Sequence, residues 1–338
     1  MGPRHLRWST LLAVWLAVSA CDVGGNGSPD GEASTRRLAA PTGTLFNVAW
    51  LPDGRIYFGR AVDAGGRPET WRIPASGGTA EQLRLADQPG CRLTKYLRVA
   101  ALPDGQLGLA RFCSKDPPLA TDTGAVDPRS GRYQPLAPLG DLNPSAVVWR
   151  KGLRSGFISY TTGTCAGLAP LSRRGPQRLP GPVTVDGRSW RLDEDVFAPG
   201  GADCTDRGRA DLPVLSPDER LLYFVASPES VGVTGRARTT VPWNLYRWPL
   251  TGAQPQELTR GLGQSVGLAI SPDGRALVFA GLRDGDFGLW LVDSSTRQVR
   301  RLAGGRFVSC TFSPDGRQVA AIADKDVDHS HLDVFDLP

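Results

Sequence analysis

The chain is poor in residues and patterns that mark several common classes of protein. Its 338 residues include three histidines and one methionine, and no run of five like charges occurs. Walker, zincin and dinucleotide-binding motifs are also absent. The formal charge of +5 falls to about +3, 37 basic residues against 34 acidic, when the first twenty residues are left out. This weak basic balance argues against a nucleic-acid-binding surface.

The first residues, MGPRHLRWSTLLAVWLAVSAC, predict an export signal. A basic start precedes an apolar stretch, 11–18, that is too short to span a bilayer comfortably. The ending VSAC resembles the lipobox of bacterial lipoproteins, whose peptidase cuts before a lipid-modified cysteine. We therefore expect a signal peptide over residues 1–20, a lipidated Cys21 with a flexible Gly- and Ser-rich tether over 21–33, and a folded domain over 34–338. An ordinary cleaved signal, with Cys21 incidental, is the alternative.

A short motif recurs along the rest of the chain. The stretch ISPDGRALVFAG occupies residues 270–281, and related stretches begin at residues 50, 101, 149 (a weaker copy), 215 and 312. In S-P-D-G, proline presets φ, aspartate caps its own backbone and glycine accepts a positive φ. Apolar stretches flank the motif on both sides, so each copy predicts a β-hairpin whose second strand is buried on both faces.

Each hairpin is followed by two further candidate strands, which gives a repeating unit of four strands. Such a unit, repeated radially, is a blade of a β-propeller. The last unit lacks its fourth segment, and STRRLAAPTG (34–43) is similar to RQVRRLAGG (297–305), the fourth segment of the fifth unit. The predicted fold is all-β: a six-bladed β-propeller of four-stranded antiparallel blades, closed by an N-terminal strand that completes the last blade.

The turns and the segments between them resemble those of the TolB-type propeller, a relative of WD repeats. The resemblance covers nearly all of residues 34–338, although Glu219 replaces glycine in the fourth turn and the third copy is poor. It implies a propeller that docks proteins or ligands. It does not imply one activity, because the fold hosts many.

The connections opposite the S-P-D-G turns carry two long insertions, 183–213 and 227–243, both in the fourth blade. Long loops on a rigid scaffold often hold binding residues, and neutral loop growth is the alternative. Aromatic and arginine side chains are favoured contacts. The predicted binding face comprises Trp190, Arg191, Asp193, Glu194, Asp195, Arg207, Arg209, Arg236, Arg238 and Trp243.

Four cysteines fall on the same irregular side of the predicted fold. Export permits disulfides, and we predict the pairs Cys91–Cys113 and Cys165–Cys204. Pairing of Cys113 with Cys165 across neighbouring blades is the main alternative, because connectivity does not follow from sequence. Cys310 lies inside a strand and is predicted to be a buried free thiol.

Few histidines remain for a metal site once His5 leaves with the signal peptide. His329 and His331 lie in an acidic loop with Asp328. Alternate residues entering a strand point the same way, so these three are able to share a divalent ion. The resemblance adds to this hypothesis, since similar propellers include metal-dependent lyases. Solvated loop residues are the alternative.

Two functions are therefore carried forward. The first is a lipid-anchored, exported module of the bacterial cell envelope that binds a protein or small ligand, with the membrane contacted through Cys21 and no nucleic acid bound. The second is a metal-dependent lyase or hydrolase acting on glycans through His329 and His331. No catalytic residue is assigned, and no cofactor is predicted besides that divalent ion.

Overall fold

The computed structural model describes residues 34–61, 68–91, 93–114, 120–142, 144–162, 165–185, 188–197, 204, 208–227, 243–324 and 330–337. The chain divides into two compact units, residues 1–31 and 32–338, and every described residue belongs to the second. The predicted signal peptide, Cys21 and tether lie outside the described residues. In the described part, no helix is long and apolar enough to cross a membrane.

The described residues form antiparallel sheets and one short 3-10 helix, Asp195–Phe197. Strand β1 is Thr35–Leu38. The next three sheets follow in chain order: β2 Thr44–Trp50, β3 Arg55–Ala61, β4 Glu69–Pro74 and β5 Glu81–Gln82; then β6 Leu93–Ala101, β7 Leu107–Ser114, β8 Ala120–Val126 and β9 Tyr133–Gly140; then β10 Pro144–Trp149, β11 Ser155–Thr162, β12 Cys165–Ser172 and β13 Gly175–Pro176.

The second half of the chain holds a small hairpin and two larger sheets. The hairpin is β14 Val183–Val185 with β15 Arg188–Trp190. A seven-stranded sheet contains β16 Arg209–Leu215, β17 Leu221–Ser227, β18 Trp243–Pro249, β19 Gln256–Ile270, β20 Ala276–Arg283, β21 Asp286–Asp293 and β22 Val299–Gly304. The last sheet has the order β1-β25-β24-β23, with β23 Phe307–Phe312, β24 Gln318–Asp324 and β25 Ser330–Asp336.

The S-P-D-G motifs form the predicted hairpin turns, and their side chains explain why. In the copy at 271–274, Ser271 Oγ donates to Asp273 Oδ1 over 2.6 Å and accepts from the N–H of Ala276 over 2.9 Å. The same bonds recur at 216–219 and 313–316. Gly274 has a φ of 75°, where glycine is favoured, and Glu219 adopts 60° at the equivalent position. The hairpins are therefore fixed by contacts within six residues.

The second strand of the hairpins is buried on both faces, as the continuous apolar runs predict. Ile56, Tyr57 and Phe58 are consecutive in β3 and fully buried. The run 277–280 in β20 is buried in the same way. Because alternate residues point to opposite faces of a sheet, each such strand has packed neighbours on both sides.

The first strands of the sheets lie next to one another. Strand β2 contacts β6, β6 contacts β10, β10 contacts β16, and β16 contacts β19. Strand β23 contacts both β19 and β2. The sheets are therefore arranged in a propeller-like ring, with these strands towards the inside.

The sheet count differs from the prediction of six separate four-stranded blades. Four sheets have four strands, but a single seven-stranded sheet replaces the predicted fourth and fifth blades. The difference lies in β19, whose 15 residues run without a break. No proline or Asp-Gly turn interrupts residues 256–270, so the strand pairs first with β18 and then with β20. The predicted fourth segments at β5 and β13 are only two residues long.

Candidate functional site

A cavity of about 270 Å³ opens between β22 and one face of the last sheet, and we call it the edge cavity. Its apolar lining includes Leu302, Phe307 and Phe335, which also belong to the hydrophobic core. Its charged or titratable lining residues are Arg37, Arg306, Asp324, His331 and Asp333. The edge cavity thus combines a buried apolar floor with a charged border.

Strand periodicity brings several of these side chains to one wall. In β25, His331, Asp333 and Phe335 line the edge cavity, whereas Leu332 and Val334 pack in the core on the opposite side. This is the two-residue alternation of a β-strand. Strand β1 pairs with β25 and sets Arg37 directly opposite Asp333. Two strands that are almost 300 residues apart in sequence therefore build this wall together.

Asp333 is the most enclosed charge of the wall, with a side chain 7% exposed. Its Oδ1 lies 3.1 Å from Arg37 Nε, and its Oδ2 lies 3.4 Å from His331 Nε2. A buried carboxylate requires such partners, because burying it alone costs far more than one hydrogen bond returns. Asp333 thereby holds Arg37 and His331 at the edge cavity.

The opposite wall is formed by β22 and the residues that follow it. Arg306 lies with its guanidinium 5.5 Å from the ring centroid of Phe287, an exposed aromatic side chain. Its Nη2 is 4.0 Å from Asp324 Oδ2, at the outer limit for an ion pair. Both carboxylates that line the edge cavity therefore face an arginine already, while about half of the Arg37 and Arg306 side chains remains exposed.

The predicted metal site lies beside this cavity only in part. His331 is described and its Nε2 faces Asp333, whereas Asp328 and His329 lie outside the described residues. Within the described ranges, the one group of three metal-ligand residues close enough to hold an ion is Cys165, Asp195 and Cys204. The two cysteines are joined in a disulfide, so their sulfurs are not thiolate ligands.

Both predicted disulfides are present. Cys91 is bonded to Cys113, and Cys165 to Cys204. The alternative pair of Cys113 with Cys165 does not form, and Cys310 is a buried free thiol in β23 as predicted. Such disulfides are typical of proteins that fold in an oxidising, extracytoplasmic compartment.

Two aspartates of the predicted binding face are buried, and this part of the prediction is wrong. Asp193 Oδ2 accepts the N–H of Leu179 over 2.8 Å, and Asp195 Oδ2 accepts that of Ala166 over 3.0 Å. The insertion folds back on the third sheet, where the N–H of Leu168 donates to the carbonyl of Leu192 over 2.6 Å. These carboxylates satisfy backbone amides and do not reach a partner.

The other predicted contact residues divide by exposure. Arg209 and Trp243 are also buried, with the guanidinium 5.7 Å from the centre of the indole ring. Trp190 and Arg191 are half-buried, and Glu194 is exposed. The remaining three, Arg207, Arg236 and Arg238, lie outside the described residues, as do residues 228–242 of the second insertion.

Sequence reasoning missed Arg37, Arg306 and Asp333. For Arg37, a signal was available in the two similar segments TRRL at 35–38 and VRRL at 299–302, which become the strands β1 and β22 on either side of the edge cavity. Their similarity was used only to predict how the last sheet is completed. Each segment carries a pair of arginines and forms the outer strand of its sheet.

Comparisons with known proteins agree on the fold alone. No family profile and no curated protein match the chain. Among solved structures, TolB from Acinetobacter baumannii is 14% identical with a TM-score of 0.53, and the match covers 87% of this chain and 63% of that one. The chain thus spans less than two thirds of the length of that TolB.

Two structures of enzymes match equally well. An oligogalacturonate lyase in complex with manganese is 12% identical, with a TM-score of 0.52 and coverage of 91% of this chain and 99% of the other. A gluconolactonase from Xanthomonas campestris is 16% identical, with a TM-score of 0.53 and coverage of 91% and 90%. The same fold thus serves proteins with different activities. The described residues have a TolB-like β-propeller fold.

Proposed function

We propose that this chain is an exported, lipid-anchored β-propeller that acts as a protein- or ligand-binding module of the bacterial cell envelope. The edge cavity carries the proposal. It is open to solvent, has an apolar floor, and presents two arginines whose side chains are only partly used within the fold. Concave sites of this composition are typical of ligand binding.

The size of the edge cavity limits what enters it. A volume of about 270 Å³ lies just below the range of ordinary small-molecule pockets, roughly 300–1,000 Å³. A small ligand, or one projecting group of a larger partner, matches this volume. For a protein partner, the accessible residues Trp190, Arg191 and Glu194 of the first insertion form a second contact region.

We infer that the ring has six blades, the seven-stranded sheet representing two blades that share β19. The contacts between successive first strands support this count, since they run through β2, β6, β10, β16, β19 and β23 and return to β2. The pairing of β1 with β25 supports closure by the N-terminal strand. A closed ring fixes the two walls of the edge cavity, which belong to different sheets, at a constant distance.

The location in the envelope is part of the proposal. The two disulfides support an oxidising compartment. Lipidation of Cys21 rests on the lipobox-like VSAC sequence. Attachment of two acyl chains gives stable anchoring where a single chain is marginal.

The alternative, a metal-dependent lyase or hydrolase acting on glycans, receives less support. A divalent metal needs several free ligands in one place. Among the described residues near the edge cavity, His331 is the one imidazole, and Asp333 is already bound to Arg37. Asp328 and His329, the other predicted ligands, lie outside the described residues, and no reaction step is derived from the described part of this donor set alone.

The test is an envelope crosslinking experiment with three full-length proteins: the wild type, an edge-cavity variant (Arg37→Gln with Arg306→Gln) and a control variant (Arg275→Gln with Arg317→Gln). The control removes two arginines from the S-P-D-G turns, and Arg317 precedes β24 at the end opposite the cavity-lining Asp324. Circular dichroism and thermal melting first establish that all three are folded. We expect one envelope component to crosslink to the wild type and the control but not to the edge-cavity variant. Equal capture by all three would overturn the assignment of this site.

A further variant with two substitutions tests whether a protein partner contacts the first insertion as well as the edge cavity. Arg191→Gln with Glu194→Gln removes two accessible charges of the first insertion, and glutamine keeps a hydrogen-bond donor near the buried Asp193, which lies 3.3 Å from Arg191 Nη2. If a protein partner spans both regions, this variant loses capture as well. If only the edge-cavity variant loses capture, the ligand is held by the cavity alone.

A further inference from the structure

The edge cavity has more free hydrogen-bond donors than acceptors. Asp333 already accepts from Arg37 and lies beside His331, and Asp324 faces Arg306. In the described part of the chain, Arg37 uses only its Nε in a hydrogen bond, so Nη1 and Nη2 have no partner there. A guanidinium has five N–H donors and no acceptor. The free N–H donors of the arginines therefore match a ligand with acceptor oxygens, and a negatively charged oxygen accepts the stronger hydrogen bonds.

The two arginines approach the edge cavity from different walls. Arg37 is carried by β1 and Arg306 follows β22, and both residues line the same 270 Å³ space. A planar carboxylate is satisfied by one arginine fork. A tetrahedral oxyanion has oxygens on several sides and accepts from two guanidiniums at once, and arginine is well suited to bind phosphate.

We propose that the edge cavity binds a phosphate-type oxyanion between Arg37 and Arg306. This rests on the proposed function, in which the same cavity is the ligand site. The phosphate lies towards the arginines, and the apolar floor at Leu302, Phe307 and Phe335 takes the small organic group attached to it. A glycerol phosphate group has the size that this volume admits.

The position of β1 brings one source of phosphate close. Cys21 is followed by 13 residues, 22–34, before β1 begins at Thr35. For a flexible chain of 13 residues, the root-mean-square end-to-end distance is about 20 Å. With Cys21 held in the membrane, the edge cavity is within reach of the lipid headgroups. A phospholipid headgroup is therefore the expected source, and a soluble phosphate ester is the other source of the same chemistry.

Binding also stabilises the pairing of β1. Three of the four residues of this strand are exposed, and Leu38 is the buried one. An anion bound to Arg37 favours the state in which β1 is paired with β25, because a ligand stabilises the form that binds it. Occupancy of the edge cavity and attachment of the N-terminal segment are thus linked.

The first arm of the test measures binding of glycerol phosphate, with sodium acetate as the carboxylate control. The full chain carrying Cys21→Ser is compared with the same chain carrying Arg37→Gln, Arg306→Gln, Arg306→Lys or, as a matched control, Arg275→Gln. Isothermal calorimetry gives the dissociation constants. We expect each glutamine variant to bind about tenfold more weakly or worse, Arg306→Lys to bind more weakly than the parent, and Arg275→Gln to bind like the parent.

The second arm uses vesicles to distinguish the sources. The same proteins are floated with vesicles of phosphatidylglycerol and phosphatidylcholine, or of phosphatidylcholine alone. Flotation that needs the anionic lipid and is lost in both glutamine variants identifies a headgroup as the source. Glycerol phosphate binding without such flotation identifies a soluble phosphate ester.

Two outcomes overturn the proposal. One is the absence of glycerol phosphate binding by the parent chain. The other is binding that the Arg275→Gln control weakens as much as Arg37→Gln does, since that reflects general charge. In either case, site-specific envelope capture that persists in the crosslinking experiment leaves the proposed binding function standing. If neither glycerol phosphate binding nor site-specific envelope capture is observed, the edge cavity is not a binding site.

Discussion

The two sides of the propeller are built in different ways. We call the side that carries the turns 51–54, 102–105, 216–219, 271–274 and 313–316 the turn face. The loop face is the side where second strands join third strands and where the last strand of one sheet leads to the next sheet. On the turn face, neighbouring turns touch: a Cβ built on Gly274 would lie 3.2 Å from the ring of Pro217, and one on Gly316 would lie 3.3 Å from Pro272. On the loop face, the described connections have no common sequence.

The range of the stabilising contacts separates the two faces. Each turn is held by bonds between residues two to five positions apart, such as Ser271–Asp273 and Ser271–Ala276. The loop face uses contacts of 14 to 39 residues, at Asp193–Leu179, Asp195–Ala166 and Cys165–Cys204. The turn face is thus stabilised by local contacts, whereas the loop face depends on contacts between distant segments. Changes to the loop face should therefore cost more stability.

The largest expected effect is the loss of the loop-face disulfide. Replacing both Cys165 and Cys204 by serine removes a link across 39 residues and should lower the free energy of unfolding by about 3 kcal/mol, because the unfolded chain gains entropy. Urea denaturation followed by circular dichroism measures the change. The matched variant, with serine at Cys91 and Cys113, opens a shorter link of 22 residues and should lose slightly less. Unchanged stability in both variants would show that the loop face does not depend on its cross-links.

A smaller loss is expected from Asp195→Ala. This change leaves the buried N–H of Ala166 without its acceptor, and an unsatisfied buried donor costs about 2 kcal/mol. The conservative variant Asp195→Asn keeps a side-chain oxygen at the same place and should retain more of the stability. Both are compared with the wild type by urea denaturation. If Asp195→Ala were no more harmful than Asp273→Ala on the turn face, the contrast between the faces would not hold.

The parts of the fold that sequence predicts are those with local causes. Pro-Asp-Gly turns and apolar flanks identify the hairpins because the bonds involved lie within six residues. The structure differs from the predicted separate fourth and fifth blades for a related reason: the local signal at residues 260–264 is limited to Gly261 and Gly263, and β19 continues through them because it pairs with both β18 and β20. Whether a strand is shared by two blades is decided by packing that a local pattern does not contain.

The candidate site was less predictable because its residues come from distant parts of the chain. Arg37, Arg306 and Asp333 meet only after β1 pairs with β25, and sequence spacing does not bring them together. Asp193 and Asp195 were expected on a binding face because they lie in a long insertion. The buried amides of Leu179 and Ala166 that they satisfy belong to other segments.

The smallest expected effect is a change in the acid sensitivity of the turn face. Hydrogen bonds lower the pKa of Asp218, Asp273 and Asp315, first from the hydroxyls of Ser216, Ser271 and Ser313 and then from backbone N–H groups. A carboxyl whose pKa is lower in the folded state than in the unfolded chain, about 3.9, stabilises the fold fully above that value. This contribution is lost as the pH falls through the folded pKa.

The triple variant Asp218→Asn, Asp273→Asn and Asp315→Asn should therefore lose stability less steeply than the wild type between about pH 5 and pH 2.5. Thermal melting at a series of pH values measures the slope. Asp104→Asn is the matched control, because Leu102 replaces the serine there and no hydroxyl from that position donates to the carboxylate. The control should change the slope less than the triple variant does. An equal slope in the triple variant and the wild type would mean that the serine bonds do not hold the turns, and that the turn face owes its regularity to packing between neighbouring prolines and glycines.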